Sequence, residues 1–198
     1  MPISIGADLW IPSQSEFGAL AFDVMDCFFD VHNDLGRFFD EWVYKKEVAR
    51  RFGGVQLELP ISVSFRSYKK MYFADMLIRR CCIFEAKAVE TLTPRHRSQA
   101  YNYLLLAELP HGKLVNTRTE LVQHEFVNAG LTRALRQQFS IDHSQFTPLS
   151  DSDRSWNDWL CAAIADWGTG LDVELYQDAL TELLGGGALV MQDISNVC

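Results

Sequence analysis

The chain has 198 residues, 48% of them hydrophobic and 22% charged, with a formal net charge of −8. That is enough apolar material for one globular domain with a sizeable core, and the negative balance argues against a protein that coats nucleic acid without selectivity. No apolar run reaches bilayer length, and the amino-terminal MPISIGADLW lacks the basic start and apolar stretch of a secretion signal, so a cytoplasmic location is expected.

In chain order, residues 15–33 repeat apolar side chains with helical period and place Phe17, Leu20, Val24, Phe28 and Val31 on one face, with Ser13 or Ser15 as cap. Residues 33–36 read as a turn, and a second helix is predicted from about Arg37 to Phe52, ended by Gly53 and Gly54. VQLELPISVSF (55–65) reads as a strand, or as two short strands broken at Pro60, and 67–70 as a turn. MYFADMLI (71–78) and CCIFEAKAVE (81–90) read as strands joined by a basic turn at Arg79 and Arg80. Thr93 and Pro94 open a third helix that runs to Glu108. HGKLVNT (111–117) and ELVQHEFV (120–127) are the next predicted strands. After Gly130 come a short helix (131–139), a polar linker (140–153) and two helices, Arg154–Asp166 capped by Asp153 and Asp172–Leu184. Gly185, Gly186 and Gly187 end the last helix, and 188–194 is predicted as an edge strand.

This order predicts an α/β sandwich, a central mixed sheet flanked by helices, in residues 1–130, followed by an acidic, mainly helical extension in 131–198. Charge divides the same way. Residues 36–97 hold thirteen basic and seven acidic side chains, whereas residues 131–198 hold three and ten. The five cysteines, Cys27, Cys81, Cys82, Cys161 and Cys198, are odd in number and form no C-x-x-C pair, which fits reduced thiols rather than a zinc site. On a strand, Cys81 and Cys82 should point to opposite faces. Trp156, Trp159 and Trp167 read as packing residues, and the shared face of Trp156 and Trp159 suits a homodimer interface equally well.

The chemistry concentrates in the two central strands. Side chains alternate along a strand, so Glu85 and Lys87 share a face. A hairpin centred near Arg80 sets Asp75 opposite Glu85, which gathers two carboxylates and an ammonium among Phe73, Met76, Ile83, Phe84 and Val89. A salt-bridged patch accounts for such a group, and so does a divalent-cation site, because a hard cation offsets the cost of neighbouring acids in apolar surroundings. On the third helix, His96, Gln99 and Tyr103 share a face with Asn102 beside it. On the second helix, Glu41 and Tyr44 are three residues apart.

Taken together, LGRFFDEWVY (35–44), QLELPISVSF (56–65), ADMLI (74–78) and FEAKAVETLTPRHRSQAYNYL (84–104) resemble the GxxExxY family, a branch of the PD-(D/E)XK nuclease superfamily. Phe38 occupies the position of the signature glycine. The resemblance implies a restriction-endonuclease-like fold and a metal-dependent nuclease acting on phosphodiester bonds, with DNA preferred to RNA. It implies Mg or Mn held by Asp75, Glu85, the Ala86 carbonyl and Glu41. Asp75, Glu85, Lys87, Gln99 and Glu41 would be catalytic, and Tyr103, Asn102, His96 and Tyr44 would bind substrate. Lys45, Lys46, Lys69, Lys70, Arg95 and Arg97 would line a phosphate track. The alternative is a catalytically inactive nuclease fold that binds nucleic acid or a protein partner.

Overall fold

The computed structural model describes residues 2–148 and 150–186. The expected strand at 188–194 lies outside them. A three-residue strand that the sequence reading passes over, β1 (Ile3–Ile5), precedes helix α1 (Gln14–Leu35). Ser13 caps α1 in a reciprocal box: Glu16 N donates to Ser13 Oγ at 3.3 Å, and Ser13 N donates to Glu16 Oε2 at 2.8 Å. All five residues of the expected apolar face are buried. The second helix, α2 (Glu41–Phe52), begins four residues after Arg37, because Asp40 is extended and serves as its N-cap. Gly36, at φ 72°, turns the chain between the two helices.

Strand β2 (Val55–Phe65) runs unbroken through Pro60. The proline carbonyl accepts from Gly6 N at 2.8 Å, so the missing proline N–H leaves this neighbour contact intact. A side chain on Gly6 would place its Cβ 2.4 Å from Pro60 Cγ, so this close approach requires glycine. β3 (Tyr68–Ile78) starts straight after Arg66 and Ser67, so residues 68–70, expected in a turn, are strand. β4 is Cys82–Lys87. It pairs antiparallel with β3 in the register Met76↔Phe84, Leu77↔Ile83, Ile78↔Cys82.

The connection between them corrects the expectation for the two thiols. Arg79 and Arg80 both take left-handed conformations (φ 45° and 63°), and Cys81 N donates back to the Ile78 carbonyl at 3.0 Å. Cys81 is therefore a turn residue outside the ladder. It buries its sulfur on the same side as Cys82, with the two Sγ atoms 3.5 Å apart as free thiols.

Helix α3 (Pro94–Ala107) carries the chain across to β5 (His111–Asn116), which is parallel to β4; a parallel pair needs such a crossover. β6 (Gln123–Asn128) then returns antiparallel. The six strands lie in the order β1-β2-β3-β4-β5-β6. Phe28 of α1 stacks on Phe84 on one face of the sheet, with ring centroids 6.4 Å apart. On the other face, Leu104 of α3 closes over Gly112. The fold is α/β, a mixed six-stranded sheet flanked by helices, as the sequence predicts.

The chain clusters into two compact units. One comprises residues 4–61 and 71–132 and contains α1, α2, α3 and β4 to β6. The other comprises 1–3, 62–70 and 133–198. Its described helices are α4 (Arg133–Arg136), α5 (Asp151–Trp167) and α6 (Val173–Leu183). Ser150 caps α5, and Asp153, expected as the cap, completes the box from the third helical position. In this unit the fully buried Trp167 donates from Nε1 to the Ser64 carbonyl at 3.1 Å. Its ring meets Phe65, Tyr68 and Tyr176 at 5.7, 6.2 and 5.5 Å. Trp156 and Trp159 are half-buried, with the Arg66 guanidinium 5.1 Å over the Trp159 ring.

Candidate metal and phosphodiester site

The β3–β4 register, extended one pair beyond Met76↔Phe84, sets Asp75 opposite Glu85. Hydrogen bonds tie the two residues together across the ladder. Ala86 N donates to Asp75 Oδ2 at 2.9 Å, and Asp75 N donates to Glu85 Oε2 at 3.3 Å. Lys87, two residues along β4, places Nζ 3.0 Å from Glu85 Oε1 and 3.7 Å from Asp75 Oδ2. The backbone behind Lys87 is pinned by its neighbour strand, since Thr117 N and Oγ1 both donate to the Lys87 carbonyl, at 2.9 and 3.3 Å. Asn116 further holds the chain leaving β4 through paired bonds to Val89 N and O.

Helix α2 supplies the third side of the cluster. Glu41, in its first turn, and Lys45, one turn later, project together. Lys45 is only 4% exposed, and its Nζ lies 2.6 Å from Asp75 Oδ1, 2.6 Å from Glu58 Oε1 of β2 and 3.4 Å from Glu41 Oε1. Four carboxyl groups thus surround two ammoniums. Burial in company with Asp75 pushes Glu85 up to about 8 and raises Glu41 also. Burial opposes the charge on both lysines. Hydrogen bonds to Asp75 and Glu58 outweigh it at Lys45, and the charges of Glu85 and Asp75 outweigh it at Lys87, so both are held above the ordinary lysine value.

From α3, Tyr103 is buried beside the cluster, edge-on to Tyr72 of β3 at 6.1 Å, and Gln99 Nε2 donates to its hydroxyl at 3.0 Å. Burial raises the Tyr103 hydroxyl, with further upward pushes from Glu85 and Asp75, which places the pair within electrostatic range of the acids. Asn102 is buried on the same helix. His96 sits at its start, where Nδ1 accepts from Thr93 N at 3.1 Å and closes the helix cap. Tyr44 stands apart. Its ring is fully buried against His32, 6.4 Å between centroids, and its hydroxyl donates to the Gly36 carbonyl at 2.5 Å.

The expected phosphate track is divided. Lys45 belongs to the acid cluster rather than to an exposed track. Lys70 pairs with Asp178 at 2.6 Å, and Arg97 grips Glu125 through two bonds of 2.5 and 2.6 Å. Lys46, Lys69 and Arg95 are exposed. The sequence reading therefore missed Lys45 and Glu58 as members of the site. For Lys45 a signal was available in the i,i+4 spacing from Glu41 on one helix. Glu58 carries no such signal, because its placement depends on a left-handed residue (φ 53°) within β2.

The carboxylate oxygens gathered here are the kind of donor a hard divalent cation takes, with no thiol or imidazole among them. The local excess of acids over ammoniums fits a cation of that charge. As arranged, no three or more His, Cys, Asp or Glu side chains among the described residues enclose an ion. Asp75 and Glu85 are both occupied by lysines and backbone amides.

Residues 19–128, more than half of the chain, match the PD-(D/E)XK nuclease superfamily, and the chain belongs to that superfamily. Nucleases of that superfamily generally use a divalent metal. No curated protein matches the chain. Among solved structures it is similar to one titled "Crystal structure of SSO0001", at 21% identity over 61% of each chain with a TM-score of 0.38. No helix among the described residues is long and apolar enough to cross a membrane.

Proposed function

We propose that the protein is a metal-dependent nuclease of the GxxExxY branch that hydrolyses phosphodiester bonds, in DNA rather than RNA. The observation that carries this reading is the juxtaposition of Asp75 and Glu85 across the β3–β4 ladder with Lys87 3.0 Å from Glu85. Asp75, Glu85, the Ala86 carbonyl and Glu41 would hold Mg or Mn. When bound, such an ion neutralises phosphoryl charge and activates water. Lys87, fixed by the strand and by the Thr117 bonds behind it, would hold its ammonium against the negative charge that develops on the phosphoryl oxygens. Gln99 and Tyr103 act as a hydrogen-bonded pair that orients water or a phosphate oxygen, with Asn102 and His96 on the same helix toward the substrate. Exposed Lys46, Lys69 and Arg95 are suited to the phosphate backbone. Free thiols suit a reducing compartment such as the cytoplasm.

The test is cleavage of labelled single- and double-stranded DNA, and of RNA, with Mg or Mn. The parent should cut, and Asp75→Ala and Lys87→Ala should each lose about 100-fold or more in rate, the scale of removing one group that stabilises transition-state charge. Equal cutting by Asp75→Ala would remove this mechanism. One observation favours the second reading, a nuclease fold that binds without cutting: Lys45 already gives the acids a counter-charge with no metal. Tight binding of an oligonucleotide with no cleavage in either metal would establish that reading instead.

A further inference from the structure

Lys45 is not an ordinary surface partner for an acid. It is a buried ammonium that touches three of the four carboxyl groups of the site at once, at 2.6, 2.6 and 3.4 Å. Two of those three, Asp75 and Glu41, are among the acids proposed to hold the metal. An ion bound to Asp75 Oδ1 at about 2.1 Å would sit within about 5 Å of Nζ and share that oxygen with it. Two cations bridged by one carboxylate in a water-poor site repel strongly. The lysine has a flexible stem that can withdraw, whereas the ion has no position that avoids the acids.

We propose that Lys45 is a resident counter-cation that closes the acid cluster, and that a divalent ion enters by displacing its ammonium from Asp75 and Glu41. This rests on the metal-dependent reading and adds a gate to it. In the closed arrangement Lys45 keeps buried carboxylates from facing one another uncompensated, which otherwise destabilises a fold. In the open arrangement Lys45 keeps Glu58 as its anchor, since that side chain is 41% exposed and can follow the ammonium outward. Metal uptake then trades one set of charge contacts for another, so affinity is lower than the donor set alone would give. The fold, in turn, holds together without metal.

Three readouts test the gate, none of them catalytic. Brief acetylation with acetic anhydride, read by peptide mass spectrometry, should leave Lys45 protected in metal-free protein, and saturating Mn²⁺ should raise its modification severalfold. Calorimetric titration should show Lys45→Met binding Mn²⁺ at least about tenfold more tightly than the parent. Lys45→Met should melt below the parent in metal-free buffer, with Mn²⁺ restoring it. Protection of Lys45 that persists at saturating Mn²⁺, or equal affinity in the two proteins, overturns the proposal. If Lys45→Met does not fold, Glu58→Gln keeps every buried side chain and loosens the lysine's anchor. It should bind Mn²⁺ severalfold more weakly than the parent, because the displaced ammonium loses its remaining partner, and unchanged or tighter binding overturns the gate. If neither parent nor variant takes up Mn²⁺, the metal-dependent reading itself fails, and the gate with it. A gate that fails alone leaves Mn²⁺ binding and cleavage in place.

Discussion

Two buried lysines in this protein have opposite fates, and their surroundings decide which. Lys45 meets acids on three sides and is held charged. Lys113 of β5 is 3% exposed, lies 2.9 Å from His124 Nδ1 and faces the Phe126 ring at 4.3 Å, and burial lowers it from 10.5 to about 8. A lysine depressed in the folded state costs stability while it is protonated. That cost fades as pH rises from about 8 toward 10.5, where the unfolded chain binds the proton that the folded chain has lost. Lys113→Met should therefore be more stable than the parent at pH 7 by about 1–3 kcal/mol. It should also lack the parent's gain between pH 8 and 10; urea unfolding at several pH values measures both. At this scale the sequence told much about the acids and little about their counter-charges. Strand alternation and a turn centred on Arg80 were enough to pair Asp75 with Glu85. Whether a lysine faces solvent or acid depends on how a helix is rolled against the sheet, and a single helix does not specify that.

The elements were legible where periodicity and capping agree. α1 and α3 fell within one or two residues of expectation, as did the ends of β5, because each has an apolar face and a capping or breaking residue at its end. The misses have local causes. Pro60 did not break β2, since its carbonyl still accepts from Gly6, just past β1, a strand too short to announce itself. Gly6→Ala tests that edge directly. Its Cβ would clash with Pro60, so the variant should lose about 1–3 kcal/mol in chemical denaturation. An unchanged midpoint would show that β1 does not hold β2. In the other compact unit, Trp167 anchors α5 against Phe65, Tyr68 and Tyr176, and Trp167→Ala should cost about 3–5 kcal/mol. Loss of tryptophan fluorescence change on melting of that unit, read beside near-ultraviolet circular dichroism, would report it.

For the molecule as a whole, the net charge of −8 and the intramolecular pairing of Lys70 and Arg97 limit how many cations can meet a phosphate backbone. Binding to an oligonucleotide should therefore weaken with salt along a shallow log–log slope, of magnitude below about 4, the count expected from a few free basic groups. Fluorescence anisotropy between about 50 and 200 mM salt measures the slope. A steep slope would mean that the paired cations open to meet the ligand. The superfamily was readable because its motif is local, one hairpin and one helix in residues 71–104. The helices after residue 132 share no such motif, and their grouping with residues 62–70 arises only when the chain is folded.

The neighbouring sulfurs of Cys81 and Cys82 give the hairpin a built-in clock. Burial raises both thiols and keeps them from ionising, so an alkylating reagent can reach them only when that hairpin opens. The half-buried Cys27 and Cys161 should label first, and the lag before the vicinal pair reacts then times the breathing of the strands that carry Asp75 and Glu85.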